Sequence, residues 1–108
     1  MRALILRLIP TGVICLLVLA ASAQAQSDGA KVFKANCVLC HGADGSGNTT
    51  AGKALQAKDL RSEEVQKQSD ATLVDAITNG KGKMPAFGDR ISPDDVKSLI
   101  VYIRGLKK

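Results

Sequence analysis

The sequence has 108 residues, with 15 Lys and Arg against 10 Asp and Glu, a formal net charge of +5, no Trp, one Tyr and two Phe. That length limits it to one small domain, and so few aromatics leave a thin core that needs a staple or a bound group to offset the entropy of folding. The charge is mild and scattered, with no basic run interleaved with aromatics, which excludes nucleic acid as a partner and leaves room for a basic patch facing an acidic protein.

The first residues carry their own signal. Arg2 and Arg7 make a positive start, Val13 to Ala20 is uncharged and apolar, and both Ala21-Ser22-Ala23 and Ala23-Gln24-Ala25 are A-x-A cleavage sites. This is the order of a secretory signal peptide. The unbroken apolar run is short of the roughly 20 residues a bilayer span needs, and Arg7 and Pro10 interrupt the segment. The expected division is a signal peptide over 1–25 and one domain over 26–108, in the periplasm or otherwise exported. An uncleaved segment would leave an N-terminal membrane anchor. Cys15 is read as an apolar filler of the signal, because Ile14 before it is bulky where a lipoprotein signal wants a small residue.

Beyond Ala25 the pattern is helical from Ser27 to about Leu39, with Ser27 or Asp28 as cap and Val32, Phe33 and Asn36 on one face. Gly42 to Gly52, GADGSGNTTAG, reads as loop. Lys53 to Leu60 is ambiguous, and Ser62 caps a brief helix after it. Ser69 or Asp70 starts a firmer helix, with Leu73, Val74 and Ile77 at helical spacing and Asn79-Gly80 as its stop. KGKMPAFGDR follows as a loop. The last helix is the clearest. Ser92 caps it, Pro93 lies in its first turn, and Asp94 and Asp95 face the positive end of the dipole. Val96, Leu99, Ile100 and Ile103 form its apolar stripe. No stretch alternates convincingly as a strand, so the class is all-α.

The chemistry concentrates in NCVLCHG, Asn36 to Gly42. A thioredoxin-type disulfide needs its Cys-x-x-Cys after a strand in a βαβ setting, which this sequence lacks. A structural zinc site wants four N or S ligands, and a fourth would have to come from a carboxylate such as Asp44. A plain disulfide leaves the adjacent His unexplained. Covalent haem attachment uses all three residues: two thiols add to the two porphyrin vinyl groups, and the histidine behind them sits beneath the iron. One haem c attached through Cys37 and Cys40 is therefore expected, with His41 as metal ligand. Such haem is attached outside the cytoplasm, in keeping with an exported chain.

The sixth ligand decides what such an iron does. His41 is the single histidine, and beyond Met1 the one methionine is Met84. A lone Met is more often packing than ligand, but core methionines sit on periodic faces. Met84 lies in a Gly- and Pro-rich loop that Pro85 stiffens, which suits presentation of a thioether to the iron.

With these residues the chain resembles a small class I cytochrome c of the bacterial, periplasmic kind. Cys37-Val38-Leu39-Cys40-His41 matches the haem motif and Lys83-Met84-Pro85 the distal methionine loop. Gly29 with Phe33 in the first helix and Tyr102 in the last match the crossing of terminal helices. The resemblance implies the class I cytochrome c fold: several short helices and loops around one covalent haem, with N- and C-terminal helices crossing. It implies His41 and Met84 as axial ligands and single-electron shuttling in a respiratory or photosynthetic chain. It implies no enzyme activity and no small-molecule substrate. Partners would be larger redox complexes, docked weakly and transiently, with Lys53, Lys81 and Lys83 around the site. Two family features are missing: a Pro soon after the motif to accept from the proximal imidazole, and a Trp for a propionate. A backbone carbonyl near Asn48 is expected in the first role, and Lys53, Lys58 or Arg61 in the second. Leu55, Leu60, Leu73, Ile77 and Phe87 are the expected lining of the haem.

Overall fold

The structure, a computed structural model, describes residues 11–108. Arg2, Arg7 and Pro10 lie outside the described residues. Among the described residues six helices follow one another: α1 Thr11–Asn36, α2 Val38–His41, α3 Thr50–Leu55, α4 Glu63–Gln66, α5 Asp70–Asn79 and α6 Pro93–Gly105. Within the described residues the sole β-type pairing is an isolated antiparallel bridge between Lys81 and Met84, so the all-α expectation holds.

α1 departs from expectation at its start. It runs unbroken from Thr11 through the positions where Ser27 or Asp28 was expected to cap. From Val13 to Gln26 the sequence is rich in Leu and Ala, good helix formers, with no Gly or Pro among them. The Asp28 carboxylate instead accepts from Gln24 at 3.0 Å. From Cys15 to Gln24 every residue is exposed, including Leu16 to Leu19 at 61–69%. Contact with the rest of the fold begins at Gln26, whose side chain lies beside Gly105 of α6, and the first buried residue is Gly29. Among the described residues no helix is long and apolar enough to cross a membrane.

α6 follows its sequence closely. The Ser92 hydroxyl accepts from the Asp95 amide at 3.2 Å, and Val96, Leu99, Ile100 and Ile103 are its buried residues. They meet Phe33 of α1, Val65 of α4, Leu73 and Ile77 of α5, and Phe87 and Ile91 of the loop before α6 in one cluster. Burial of a side chain such as Leu99 is worth about 1.5–3 kcal/mol. α1 and α6 cross at Gly29. A Cβ there would collide with the Ser98 carbonyl oxygen and lie 2.8 Å from Tyr102 Cβ. Only glycine lets the two backbones come so near. Beside the crossing the Phe33 and Tyr102 rings stand 5.1 Å apart, tilted by 47°, a favourable aromatic arrangement.

The middle helices are short and each has a hydroxyl cap: Thr49 for α3, Ser62 for α4 and Ser69 for α5. α3 begins inside the stretch expected to be loop. The Thr49 hydroxyl accepts from Gly52 N–H at 2.8 Å, and this cap starts a helix in spite of the glycine within it.

Candidate haem site

The two thiols and the imidazole sit on consecutive pieces of backbone. Cys37 N–H donates to Phe33 O at 2.8 Å, continuing α1, and His41 N–H donates to Cys37 O at 2.9 Å in α2. The Thr49 hydroxyl contacts both Leu39 O at 2.8 Å and Cys40 O at 3.1 Å, so the cap of α3 also holds α2. Gly52 completes this junction: a Cβ on it would collide with the Cys40 and Gly47 carbonyl oxygens.

Cys37 and Cys40 are free thiols of intermediate burial. Burial, and secondarily the charge of Cys40, push the Cys37 thiol up to about 11. It is neutral at ordinary pH, the opposite of the lowered pKa that marks redox-active Cys-x-x-Cys pairs. Among the described residues no group of three or more His, Cys, Asp and Glu side chains is placed to hold a metal ion.

His41 Nδ1 lies 3.0 Å from the Lys58 carbonyl oxygen. A carbonyl only accepts, so Nδ1 carries the proton and Nε2 keeps its lone pair. Burial lowers the His41 pKa, and the Lys58 bond opposes it. The result is a neutral, ligating imidazole. This corrects the expected acceptor near Asn48. The 42–49 loop meets the motif through its backbone instead, with Gly47 N–H donating to His41 O at 2.7 Å and the Thr49 hydroxyl to Leu39 O and Cys40 O. The imidazole is met by the strap after α3, which turns at Gln56, a left-handed residue at φ 57°.

Met84 stands apart from this group in sequence but shares its core: both Cys37 and Met84 pack against the buried cluster. Its turn is closed by Lys81 N–H to Met84 O at 3.1 Å and Met84 N–H to Lys81 O at 2.9 Å. Phe87 N–H to Ile77 O at 2.9 Å and Gly88 N–H to Thr78 O at 3.0 Å fasten the same loop to α5.

Of the expected lining residues, Leu73, Ile77 and Phe87 are in the core and Leu60 packs on its edge. Leu55 is 43% exposed, and Leu39 inside the motif is 78% exposed. α3, which carries Leu55, packs on α2, which carries Leu39. Apolar surface is thus left uncovered beside the motif. Lys58 pairs with Glu64 at 2.9 Å, and Arg61 pairs with Asp59 at 2.9 Å and Asp44 at 3.7 Å. Lys53 is exposed.

These donors fit haem c. Two free thiols stand at the required spacing, an imidazole keeps Nε2 available, a soft thioether sits in a fastened turn, and apolar side chains await cover.

The comparisons agree with this fit. Residues 24–103 match the family described as cytochrome C oxidase, cbb3-type, subunit III. The chain is 44% identical over 83 residues to the cbb3-type cytochrome c oxidase subunit FixP of Azorhizobium caulinodans, covering 76% of this chain and 27% of that protein. It therefore spans about a quarter of FixP. It is 41% identical over 75 residues to cytochrome c6 of Leptolyngbya boryana, covering 69% of this chain and 85% of that one. Among solved structures, the KustC0563 c-type cytochrome superposes with a TM-score of 0.69 at 35% identity, covering 74% of this chain and 98% of that chain. With motif, fold and relatives in agreement, the chain belongs to the c-type cytochromes, as a small class I monohaem member whose cofactor is covalently bound haem c.

Proposed function

We propose that this chain is an exported electron carrier, shuttling single electrons between larger redox complexes of a respiratory or photosynthetic chain and catalysing no reaction itself. In this reading the Cys37 and Cys40 thiols anchor the porphyrin as thioethers, and His41 Nε2 and the Met84 sulfur take the two axial positions. Haem c supplies a one-electron Fe(III)/Fe(II) couple. The observation that carries the reading is the His41 Nδ1 bond to Lys58 O, which leaves a neutral nitrogen free for iron and orients its ring. Met84 adds a soft, neutral donor that favours Fe(II) and raises the reduction potential. The bonds across its turn lower the cost of presenting it.

Cleavage after Ala25 falls close to where α1 passes from exposed to packed, which supports a mature domain over 26–108 outside the cytoplasm. Lys53, Lys81 and Lys83 are exposed, and in this reading they dock an acidic partner weakly. Electron-transfer rates then fall as ionic strength rises; a flat response removes the lysines from docking. FixP is named as part of an oxidase, which makes a terminal oxidase one acceptor to use in that assay.

Carbon monoxide added to the reduced protein at neutral pH tests the ligand set. Slow, weak binding is expected with Met84 in place. Rapid, tight binding would make Met84 labile and the protein a gas sensor or peroxidase-like.

A further inference from the structure

We propose that the Gln66 side chain is a positioning group for the proximal imidazole, tying the strap that carries the His41 acceptor to the last turn of α6. The inference rests on the reading of His41 as an axial ligand. Gln66 ends α4 and is half-buried. Its amide nitrogen donates to Leu60 O at 2.7 Å and to Ile103 O at 2.9 Å. Both partners only accept, so the nitrogen and not the oxygen of the amide faces them, and both of its protons are used. Leu60 follows Lys58 closely on the strap, and its own N–H donates to Gly45 O at 2.8 Å. It is therefore gripped at both its N–H and its carbonyl.

Ser62 Oγ also donates to Asp59 O at 2.7 Å, but that bond is local and ties the strap only to the start of α4 beside it; the ion pairs on the strap are weaker. Lys58 meets Glu64 in a pair exposed at both ends. Asp59 meets Arg61 within the strap itself, and Lys108 reaches Asp59 only at 3.6 Å. Exposed ion pairs hold little. Arg104 offers a built-in contrast. It also joins α6 to the end of α4, through Nη1 to Gln66 O at 2.7 Å and Nη2 to Gln68 O at 2.5 Å. Those bonds fix the backbone after the strap and leave Leu60 untouched. A carbonyl that accepts from a ligating imidazole fixes its plane and raises its basicity. Freeing the strap weakens that bond.

The test compares Gln66→Met, which keeps length and removes both donors, with Arg104→Gln, both as haem-loaded protein. Both variants should melt at lower temperature. Only Gln66→Met should speed exchange of the His41 Nδ1 proton, followed by NMR in the reduced protein, by about tenfold, as for loss of one hydrogen bond. It should also move the midpoint potential upward. Gln66→Asn keeps the amide but falls short, and should lie between wild type and Gln66→Met; it serves should the methionine variant not load haem. Exchange and midpoint in the Gln66 variants equal to those of Arg104→Gln would overturn the proposal. A wild-type Nδ1 proton with no haem-shifted resonance would overturn the ligand reading itself, and this inference with it.

Discussion

At the crossing of α1 and α6, Leu99 is 0% and Phe33 1% exposed, and a glycine lets two backbones touch. In α2, which carries Cys40 and His41, no residue is buried. The crossing is held by apolar burial, a force that is non-directional and grows with area. The motif is held by hydrogen bonds to named carbonyls: Leu39 O and Cys40 O from Thr49, His41 O from Gly47, Lys58 O from the imidazole. Such bonds contribute modestly to stability, each about 0.5–1.5 kcal/mol net, but they are directional. One region therefore supplies the stability and the other sets where the donors lie. The division suits a domain whose bound group completes the core beside the motif.

The contrast breaks most visibly at Gly29. Gly29→Ala forces the helices apart, and overpacking of this kind costs about 3 kcal/mol or more. In a domain of this size that is a fall of more than about 10 °C in melting temperature, read by thermal unfolding. A variant that melts like wild type would mean the crossing does not carry the fold. Gly52→Ala probes the other region. Its Cβ meets the Cys40 and Gly47 carbonyls, so we expect haem incorporation on export to fall severalfold while α6 and its contacts with α1 persist by circular dichroism. Equal loading would show that the α2–α3 junction tolerates movement.

The regions also differ in how far the amino-acid sequence discloses them. The caps Ser62, Ser69 and Ser92 and the stripe on α6 are legible because side-chain periodicity and capping chemistry are local, whereas the meeting of Gly29 and Phe33 with Tyr102 is legible only through the resemblance to class I cytochromes c. Cys37, Cys40 and His41 stand out in the sequence as candidate donors by their motif, and Met84 by elimination. The acceptor for His41 does not: any residue has a carbonyl, so the choice of Lys58 over the Asn48 region depends on how a left-handed turn at Gln56 returns the chain. The early start of α3 is hidden by the glycines around Thr49. The unused caps at Ser27 and Asp28 fail for the opposite reason, since the residues before them are themselves good helix formers.

A smaller effect sharpens the view of the strap. A hydrogen bond from the Arg61 guanidinium holds the Asp59 carboxyl at about 2, below its ordinary 3.8. A depressed carboxyl contributes stability above its ordinary pKa and loses it as pH falls toward the folded value. Asp59→Asn should therefore lower stability by no more than about 1 kcal/mol near neutral pH, as for exposed pairs. The gap should close between about pH 4 and pH 2, measured by urea unfolding at each pH. A gap that persists at about pH 2 would assign the effect to something other than this ionisation.

The most direct measurement is the absorption spectrum of the oxidised, haem-loaded protein beside that of Met84→Ala. With His41 and Met84 as axial ligands, the wild type shows the weak near-infrared band of sulfur-ligated ferric haem. The variant loses it, and its midpoint potential falls. A protein purified without colour, or a variant whose spectrum and midpoint match the wild type, would contradict the account.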